Sequence, residues 1–273
     1  MKVRIYGKAP YHAAVVHGGP GAIGSMAPLA RELSQYLSIV EPLQTKYCID
    51  ELVEELHDQI TFYFRHPIPL IGHSWGAWLC AIYAARFPQT VSKVLLSGCP
   101  PLEDEYVPMI EEKRKSHFSR SEATLYDALK TQIGYGRKYF QEELLSQFGK
   151  LCAQADDYAP LPPDVNLEKM MKTDARMYTE VFAEAVSMRQ SGQLVGCFRQ
   201  LACPVVIIHG IYDTHPVEGV LEPLKKSNVP YRYYAMEQCG HTPWQERFAR
   251  RQFLETIVRE TAPKARNRAE LNV

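Results

Sequence analysis

A serine stands at the centre of the segment Gly72-His73-Ser74-Trp75-Gly76, which follows an apolar, strand-like run and precedes a helix-prone stretch. A G-x-S-x-G turn between a strand and a helix is the setting in which a serine is presented as a nucleophile. The turn is so sharp that glycines are needed on both sides of the serine, where larger side chains would collide. The helix start beside the hydroxyl favours developing negative charge. The segment therefore predicts Ser74 as a nucleophile for acyl transfer.

Two later loops carry the partners that this serine would need. Serine is a poor nucleophile at neutral pH and requires a base within hydrogen-bond reach. His241 follows the last predicted strand, and Asp213 lies just past the strand before it. Loops at the carboxyl ends of parallel strands open at one edge of the sheet. Alone, each residue could be structural, but the order Ser74, Asp213, His241 predicts a triad in which His241 takes the serine proton and Asp213 orients the imidazole.

A glycine-rich loop, HGGPG at residues 17–21, follows the second predicted strand. A tetrahedral intermediate needs N–H donors that point at its oxyanion. We expect one donor to be the N–H of Trp75, directly after the nucleophile. The other is the N–H of Gly19, where no side chain blocks close approach, whereas Pro20 has no N–H. A purely structural turn would use the same glycines.

Apolar periodicity predicts the elements that position these loops. The predicted strands cover residues 2–6, 12–17, 38–41, 68–71, 91–97, 203–209 and 229–236, and the predicted helices cover residues 26–36, 49–64, 77–86, 217–226 and 244–259. Strands that alternate with helices indicate an α/β fold with a mostly parallel sheet and crossover helices.

The alternation is interrupted between residues 101 and 198, where no convincing strand occurs. Helix-prone segments fill this region at residues 106–116, 121–131, 139–153 and 167–191. We therefore predict a helical cap of residues 101–198, inserted into a core of residues 1–100 and 199–263. The basic and polar residues 264–273 are predicted to form a disordered tail.

Composition limits the possible partners. The 273 residues are 46% hydrophobic and 23% charged, and 31 basic residues balance 31 acidic ones. This balance predicts no nucleic-acid partner. The charged N-terminal stretch is not expected to act as a signal peptide, and no apolar run is long enough to span a membrane. The 7 cysteines are scattered without a C-x-x-C pair. They predict free thiols in a reducing cytoplasm and neither a disulfide framework nor a metal site.

Taken together, the loop at residues 17–21, the elbow at residues 72–76, Asp213 and Gly240-His241 resemble the α/β-hydrolase fold superfamily. Within it, H-G-G-P-G with a tryptophan after the nucleophile is similar to the proline iminopeptidase branch. That resemblance implies release of an N-terminal residue, typically proline, from peptides or amino acid amides. It also implies cap carboxylates that bind the free amino group of the substrate.

Candidate substrate contacts follow from this resemblance and from the aromatic content of the loops. Glu180 and Glu184 are four residues apart on one predicted helix face and could hold an ammonium group, although a solvated acidic face would look the same. Tyr212 precedes the triad aspartate and, with the tryptophans near the predicted site, suggests an apolar pocket.

The function predicted from these residues is acyl transfer to water through an acyl-Ser74 intermediate, without a metal or organic cofactor. A serine at this position argues against haloalkane dehalogenase and epoxide hydrolase chemistry, where that residue is aspartate. The substrate is expected to be a small molecule or a short peptide. An aminopeptidase, a carboxylesterase and a hydrolase of carbon–carbon bonds all remain open. A non-catalytic ligand receptor on the same fold is the alternative of a different class.

Overall fold

The computed structural model describes residues 2–134, 142–162, 164, 166 and 171–262. Its main sheet has seven strands: β1 (Val3–Tyr6), β2 (Ala13–Val16), β4 (Ile39–Pro42), β5 (Ile68–His73), β6 (Val91–Ser97), β8 (Val205–Gly210) and β9 (Tyr231–Met236). Their spatial order is β1-β4-β2-β5-β6-β8-β9. The β1–β4 pair is antiparallel, and the other pairs are parallel. A second, two-stranded sheet pairs β3 (Ala22–Ile23) with β7 (Lys172–Thr173).

The helices connect and cover these strands. They are α1 (Ala27–Leu33), α2 (Ile49–Tyr63), α3 (Trp75–Arg86), α4 (Val107–His117), α5 (Arg120–Gly134), α6 (Glu142–Asp156), α7 (Ala175–Gln190), α8 (Gln193–Arg199), α9 (Glu218–Lys226) and α10 (Arg250–Thr261). Among the described residues, no helix is long and apolar enough to cross a membrane.

Both faces of the central strands are buried, which explains why the strands are continuous apolar runs. Leu70 and Ile71 are neighbours on β5 and point to opposite faces. Leu70 packs in a core with Trp78 of α3, whereas Ile71 packs in a separate core with Phe253 of α10. Strand β8 is buried along its whole length. A separate core on each face therefore fixes the sheet, and with it the loops at the carboxyl ends of its strands.

The predicted fold class is confirmed: a mostly parallel sheet is flanked by helices. Two details differ from the sequence-based expectation. The last helix begins at Arg250 and not at residue 244, because Pro243–Gln245 forms a separate 3-10 turn. The region predicted to lack strands contains β7, which pairs with the loop after β2. A side-chain N-cap at Asp174 starts α7 directly after this strand.

The division into core and cap remains a prediction. Helices α4, α5, α6 and α7 lie within residues 101–198. The predicted tail, residues 264–273, lies outside the described residues, as do parts of the helices predicted over residues 139–153 and 167–191.

Candidate active site

The turn between β5 and α3 holds Ser74 in a strained conformation, with φ 53° and ψ −123°. A positive φ is costly for a residue with a side chain and persists only where its surroundings enforce it. A Cβ atom at Gly72 would lie 2.3 Å from the carbonyl oxygen of Gly76, and one at Gly76 would lie 2.3 Å from that of Val16. The Ser74 N–H donates to the Ser97 carbonyl over 3.0 Å. Both glycines are therefore required for the close packing of this turn.

The structure brings Asp213 and His241 together. Asp213 follows β8, is 1% exposed, and its Oδ2 accepts a hydrogen bond from His241 Nδ1 over 2.8 Å. Because a carboxylate only accepts, the ring proton lies on Nδ1, and the Nε2 of neutral His241 carries a lone pair.

Ser74 and His241 line one cavity of about 1200 Å³. Within the described part of the chain, the Ser74 hydroxyl has no hydrogen bond to His241. Such contacts often form only when substrate is bound.

Electrostatics at this pair favour an ionised aspartate beside a basic histidine. Burial alone would raise the pKa of Asp213, but the neighbouring histidines, His241 foremost, hold that pKa well below its usual range. Burial acts to lower the pKa of His241, and the Asp213 carboxylate outweighs it, so that this pKa lies above its ordinary value. His241 is thus the stronger base of the cluster.

A second histidine, which the sequence pattern did not predict, binds the other oxygen of Asp213. His215 Nδ1 donates to Asp213 Oδ1 over 2.8 Å, and the His215 backbone N–H donates to the same oxygen over 2.9 Å. Its ring stacks on that of His241 with centroids 4.3 Å apart.

Ligand atoms of Asp213, His215 and His241 lie within 4.8 Å of one another and could hold a metal ion. In this structure both ring Nδ1 atoms instead donate hydrogen bonds to the carboxylate.

The glycine-rich loop lies directly against Ser74. A Cβ atom at Gly18 would lie 3.2 Å from the Ser74 Cβ. Gly19 has φ +113°, and a Cβ there would lie 2.6 Å from the backbone nitrogen of Ala22. Among the described residues, the Gly19 N–H has no hydrogen-bond acceptor. Trp75 begins α3, so its N–H has no acceptor within the helix. These two N–H groups are the ones predicted as oxyanion donors.

Gln44 links this loop to the turn of Ser74. Its side-chain amide donates to the His17 carbonyl over 3.2 Å and accepts from Trp75 Nε1 over 3.0 Å. His17 Nε2 accepts from the Gln44 backbone N–H over 3.3 Å, while its Nδ1 donates to the Gly18 carbonyl over 2.9 Å. Burial lowers the pKa of His17 to about 4, which keeps this ring neutral. Nothing in the sequence points to Gln44, because it lies in the loop after β4 and not in a loop that carries a predicted site residue.

A segment at the end of α6, residues 156–159, is bonded to the loop of His241. We call it the cap strap. The Asp156 carbonyl accepts from the His241 N–H over 2.9 Å, and Asp157 Oδ1 accepts from the Thr242 N–H over 3.1 Å. Arg114 of α4 makes two hydrogen bonds, of 2.8 and 2.6 Å, to the Asp156 carboxylate. Thr214, next to Asp213, donates its hydroxyl to the same carboxylate.

Glu246 links the cap strap to the His241 loop. Its carboxylate is 0% exposed and accepts hydrogen bonds from the backbone N–H groups of Tyr158, Ala159 and Gly240 over 2.6, 2.7 and 2.7 Å. Backbone N–H donors satisfy a buried carboxylate without a cation. The strap and the loop of His241 are therefore one hydrogen-bonded unit.

The structure places the three predicted substrate contacts outside the cavity. Glu180 is exposed and pairs with Arg176 over 2.9 Å, and Glu184 is exposed and accepts from the Ile49 N–H over 2.7 Å. That both hold an ammonium group stays a prediction, and neither side chain is among the residues that line the cavity. Tyr212 stacks on His117 with centroids 4.3 Å apart.

The faces of α7 explain the positions of Glu180 and Glu184. Tyr178 and Phe182 line the cavity, and residues two positions further along an α-helix point to the opposite side.

The cavity is lined by aromatic side chains and by several carboxyl groups, of which that of Asp157 lies next to the His241 loop. The aromatic side chains are Trp75, Trp78, Tyr126, Phe148, Tyr178, Phe182 and Trp244. Burial raises the pKa of the Asp157 carboxyl group to about 7. Its Oδ2 has no hydrogen-bond partner among the described residues. The cavity thus combines aromatic side chains with charged ones, and the Asp157 carboxyl group lies near the candidate base.

Comparisons with known proteins agree with this architecture. VinJ has a TM-score of 0.70 at 15% sequence identity, covering 95% of this chain and 93% of that chain. Proline iminopeptidase from Mycobacterium smegmatis has a TM-score of 0.64 at 14% identity, covering 95% and 93%. A putative lipase from Acinetobacter baumannii has a TM-score of 0.61 at 15% identity, covering 95% and 88%. At these identities the likeness shows the fold alone.

No curated protein shows significant sequence similarity to the chain. The model of the alpha/beta hydrolase fold family, however, matches residues 15–244. The chain belongs to the α/β-hydrolase fold family.

Proposed function

We propose that this protein is a serine hydrolase that transfers an acyl group to water through an acyl-Ser74 intermediate. The observation that carries the proposal is the 2.8 Å hydrogen bond from His241 Nδ1 to Asp213, in a cavity that Ser74 also lines. Membership of the α/β-hydrolase fold family supports hydrolysis as the reaction class. The strained conformation of Ser74 supports its role as the nucleophile.

In the proposed reaction, Ser74 Oγ attacks the acyl carbon while His241 Nε2 accepts the hydroxyl proton. Asp213 stabilises the imidazolium, and the N–H groups of Gly19 and Trp75 bind the oxyanion. His241 then gives its proton to the leaving group as the bond to that group breaks. A water molecule attacks the acyl-enzyme in the second half, His241 takes its proton, and the acid product leaves as Ser74 regains a proton.

For the substrate class, we propose an aminopeptidase as the first candidate, on the evidence of Asp157. This residue lines the cavity next to His241, and its Oδ2 has no hydrogen-bond partner among the residues that the structure describes. Burial raises the pKa of this carboxyl group to about 7, and among the described residues it forms no salt bridge. A substrate ammonium group would supply a cationic partner. Asp157 thereby takes the role that Glu180 and Glu184 were expected to play.

A carboxylesterase is the second candidate, and the aromatic wall of the cavity favours it. Aromatic and apolar linings bind apolar acyl groups without requiring a charged partner. A hydrolase of carbon–carbon bonds would use the same nucleophile and base. A non-catalytic receptor would keep the cavity and bind its ligand without turnover.

The experiment that tests the proposal compares hydrolysis of proline β-naphthylamide with that of p-nitrophenyl butyrate, each with wild type and Ser74→Ala. We expect Ser74→Ala to lose whichever of the two activities the wild type shows. Preference for the amide, lost when its amino group is acylated, would support the aminopeptidase. Turnover of the ester alone would support a carboxylesterase, and equal activity in Ser74→Ala would contradict a serine hydrolase.

A further inference from the structure

His215 has a polar atom that no step of the proposed reaction uses. Its Nδ1 donates to Asp213 Oδ1 over 2.8 Å, so the ring proton lies on Nδ1. The Nε2 of a neutral imidazole with this tautomer is a hydrogen-bond acceptor and not a donor. Burial and the neighbouring His241 lower the pKa of His215, which keeps the ring neutral. His215 therefore offers a fixed acceptor at its outer edge.

This acceptor opens into the cavity. The His215 ring lines the same cavity as Ser74 and His241. Among the described residues, the Nε2 of His215 has no hydrogen-bond partner. This atom is also not fully buried, unlike the other unpartnered polar atoms of the interior. His209 offers the contrast, because its Nδ1 is fully buried and unpaired, while its Nε2 donates to the His215 carbonyl over 2.8 Å. The Nε2 of His215 is thus accessible to a ligand.

The acceptor lies next to the reacting atoms of the proposed hydrolysis. The rings of His215 and His241 are stacked, with centroids 4.3 Å apart and planes 26° apart. Both rings hold the same tautomer because both donate from Nδ1 to Asp213. A substrate whose scissile bond lies at His241 Nε2 therefore has atoms adjacent to that bond within reach of His215.

We propose that His215 contacts the substrate and accepts a hydrogen bond from a donor group adjacent to the scissile bond, such as a hydroxyl or an N–H. This inference rests on the proposed serine hydrolase. It adds a specificity to that activity: substrates with a donor beside the scissile bond react faster than analogues without one. A site built around a polar partner rejects the analogue that leaves its polar group unpaired.

Three esters test this inference: phenyl propionate, phenyl 2-hydroxypropionate and 2-hydroxyphenyl propionate. The first has no donor, the second has one on the acyl side, and the third has one on the leaving group. His215→Asn is the main variant, because its amide N–H can still donate to Asp213 while nothing replaces Nε2. The control is His66→Asn, at an exposed histidine that contacts its own loop at Pro67.

We expect His215→Asn to lower kcat/KM for at least one hydroxylated ester roughly 5- to 10-fold more than for phenyl propionate, the effect of one hydrogen bond. His66→Asn should leave all three values unchanged. His215→Phe, which keeps the stacked ring and loses both nitrogen atoms, should show the same selective loss. An equal loss for all three esters in both His215 variants would overturn the inference, because His215 would then act only through Asp213.

The same assay separates this inference from the proposed function. Hydrolysis of phenyl propionate that persists in Ser74→Ala would overturn the serine hydrolase, and the His215 inference with it. Hydrolysis that is lost in Ser74→Ala, together with equal effects of His215→Asn on all three esters, would overturn the His215 inference alone.

Discussion

His241 Nδ1 and Asp213 Oδ2 are 2.8 Å apart, although the residues are separated by 28 positions in the chain. Each follows one of the last two strands of the sheet, and the parallel pairing of β8 with β9 brings the loops together. The hydrogen bond selects one tautomer of His241 and directs its Nε2 lone pair away from the carboxylate. The expected behaviour of the site follows from this pairing.

The first prediction concerns pH. The proposed base must be neutral, and the pKa of His241 lies above its ordinary value of about 6.5. We expect kcat/KM to fall as the pH drops through this raised pKa, because the imidazolium cannot accept the Ser74 proton. Asp213→Asn should lower both the rate and the pKa of His241, since the carboxylate raises it. A rate that stays constant from about pH 5 to 8 would contradict His241 as the base.

The second prediction concerns the stability of the nucleophile turn. Gly76→Ala places a Cβ atom 2.3 Å from the Val16 carbonyl oxygen. We expect it to lower the free energy of unfolding by about 1–3 kcal/mol or more, as overpacking does. Gly149→Ala in α6 is the matched control, because a Cβ atom there meets nothing within 4 Å. Denaturant unfolding should show that control unchanged or stabilised, and equal stability of the two variants would contradict the close packing.

The third prediction tests the cap strap. Glu246→Gln exchanges a carboxylate that accepts three backbone hydrogen bonds for an amide with one acceptor and one donor group. We expect a loss of stability of about 2–3 kcal/mol and a lower kcat, because the loop of His241 loses its support. Glu255→Gln, at an exposed residue paired with Arg251, is the control. If both variants keep wild-type kcat and stability, Glu246 does not position this loop.

The fourth prediction concerns substrate charge. Under the aminopeptidase proposal, Asp157→Asn removes the negative charge that faces a substrate ammonium group. We expect kcat/KM for proline β-naphthylamide to fall about 10-fold or more, the range given by loss of a charged hydrogen bond, and that for p-nitrophenyl butyrate to change little. Glu180→Gln, on the exposed face of α7, should change neither. Equal losses for amide and ester in Asp157→Asn would argue against ammonium binding there.

The central strands and the loops that follow them were predictable because burial on both faces makes these strands apolar runs. Val91–Ser97 was predicted at the bounds that the structure gives it. The elbow glycines carry their own signal, because no other residue fits their contacts. With the strand order known, the approach of Asp213 to His241 follows from the chain order of their loops.

The substrate side of the cavity could not be predicted in the same way. The spacing of Glu180 and Glu184 correctly places them on one helix face, but it does not tell which face of α7 turns to the cavity. His215 contacts Asp213 because the chain turns sharply between these two residues. Gln44 contacts Trp75 from another loop. Contacts of this kind depend on tertiary packing, for which the local sequence has no periodic signal.

The most direct test of the proposed serine hydrolase is labelling of the folded protein with a fluorophosphonate probe. The variants are Ser74→Ala and, as a matched control, Ser25→Ala, which alters another serine of the same cavity. We predict one phosphonylated residue, mapped to Ser74 by mass spectrometry, in wild type and in Ser25→Ala, and no labelling of Ser74→Ala. Absence of labelling in folded wild type, or labelling that persists in Ser74→Ala, would contradict Ser74 as an activated nucleophile.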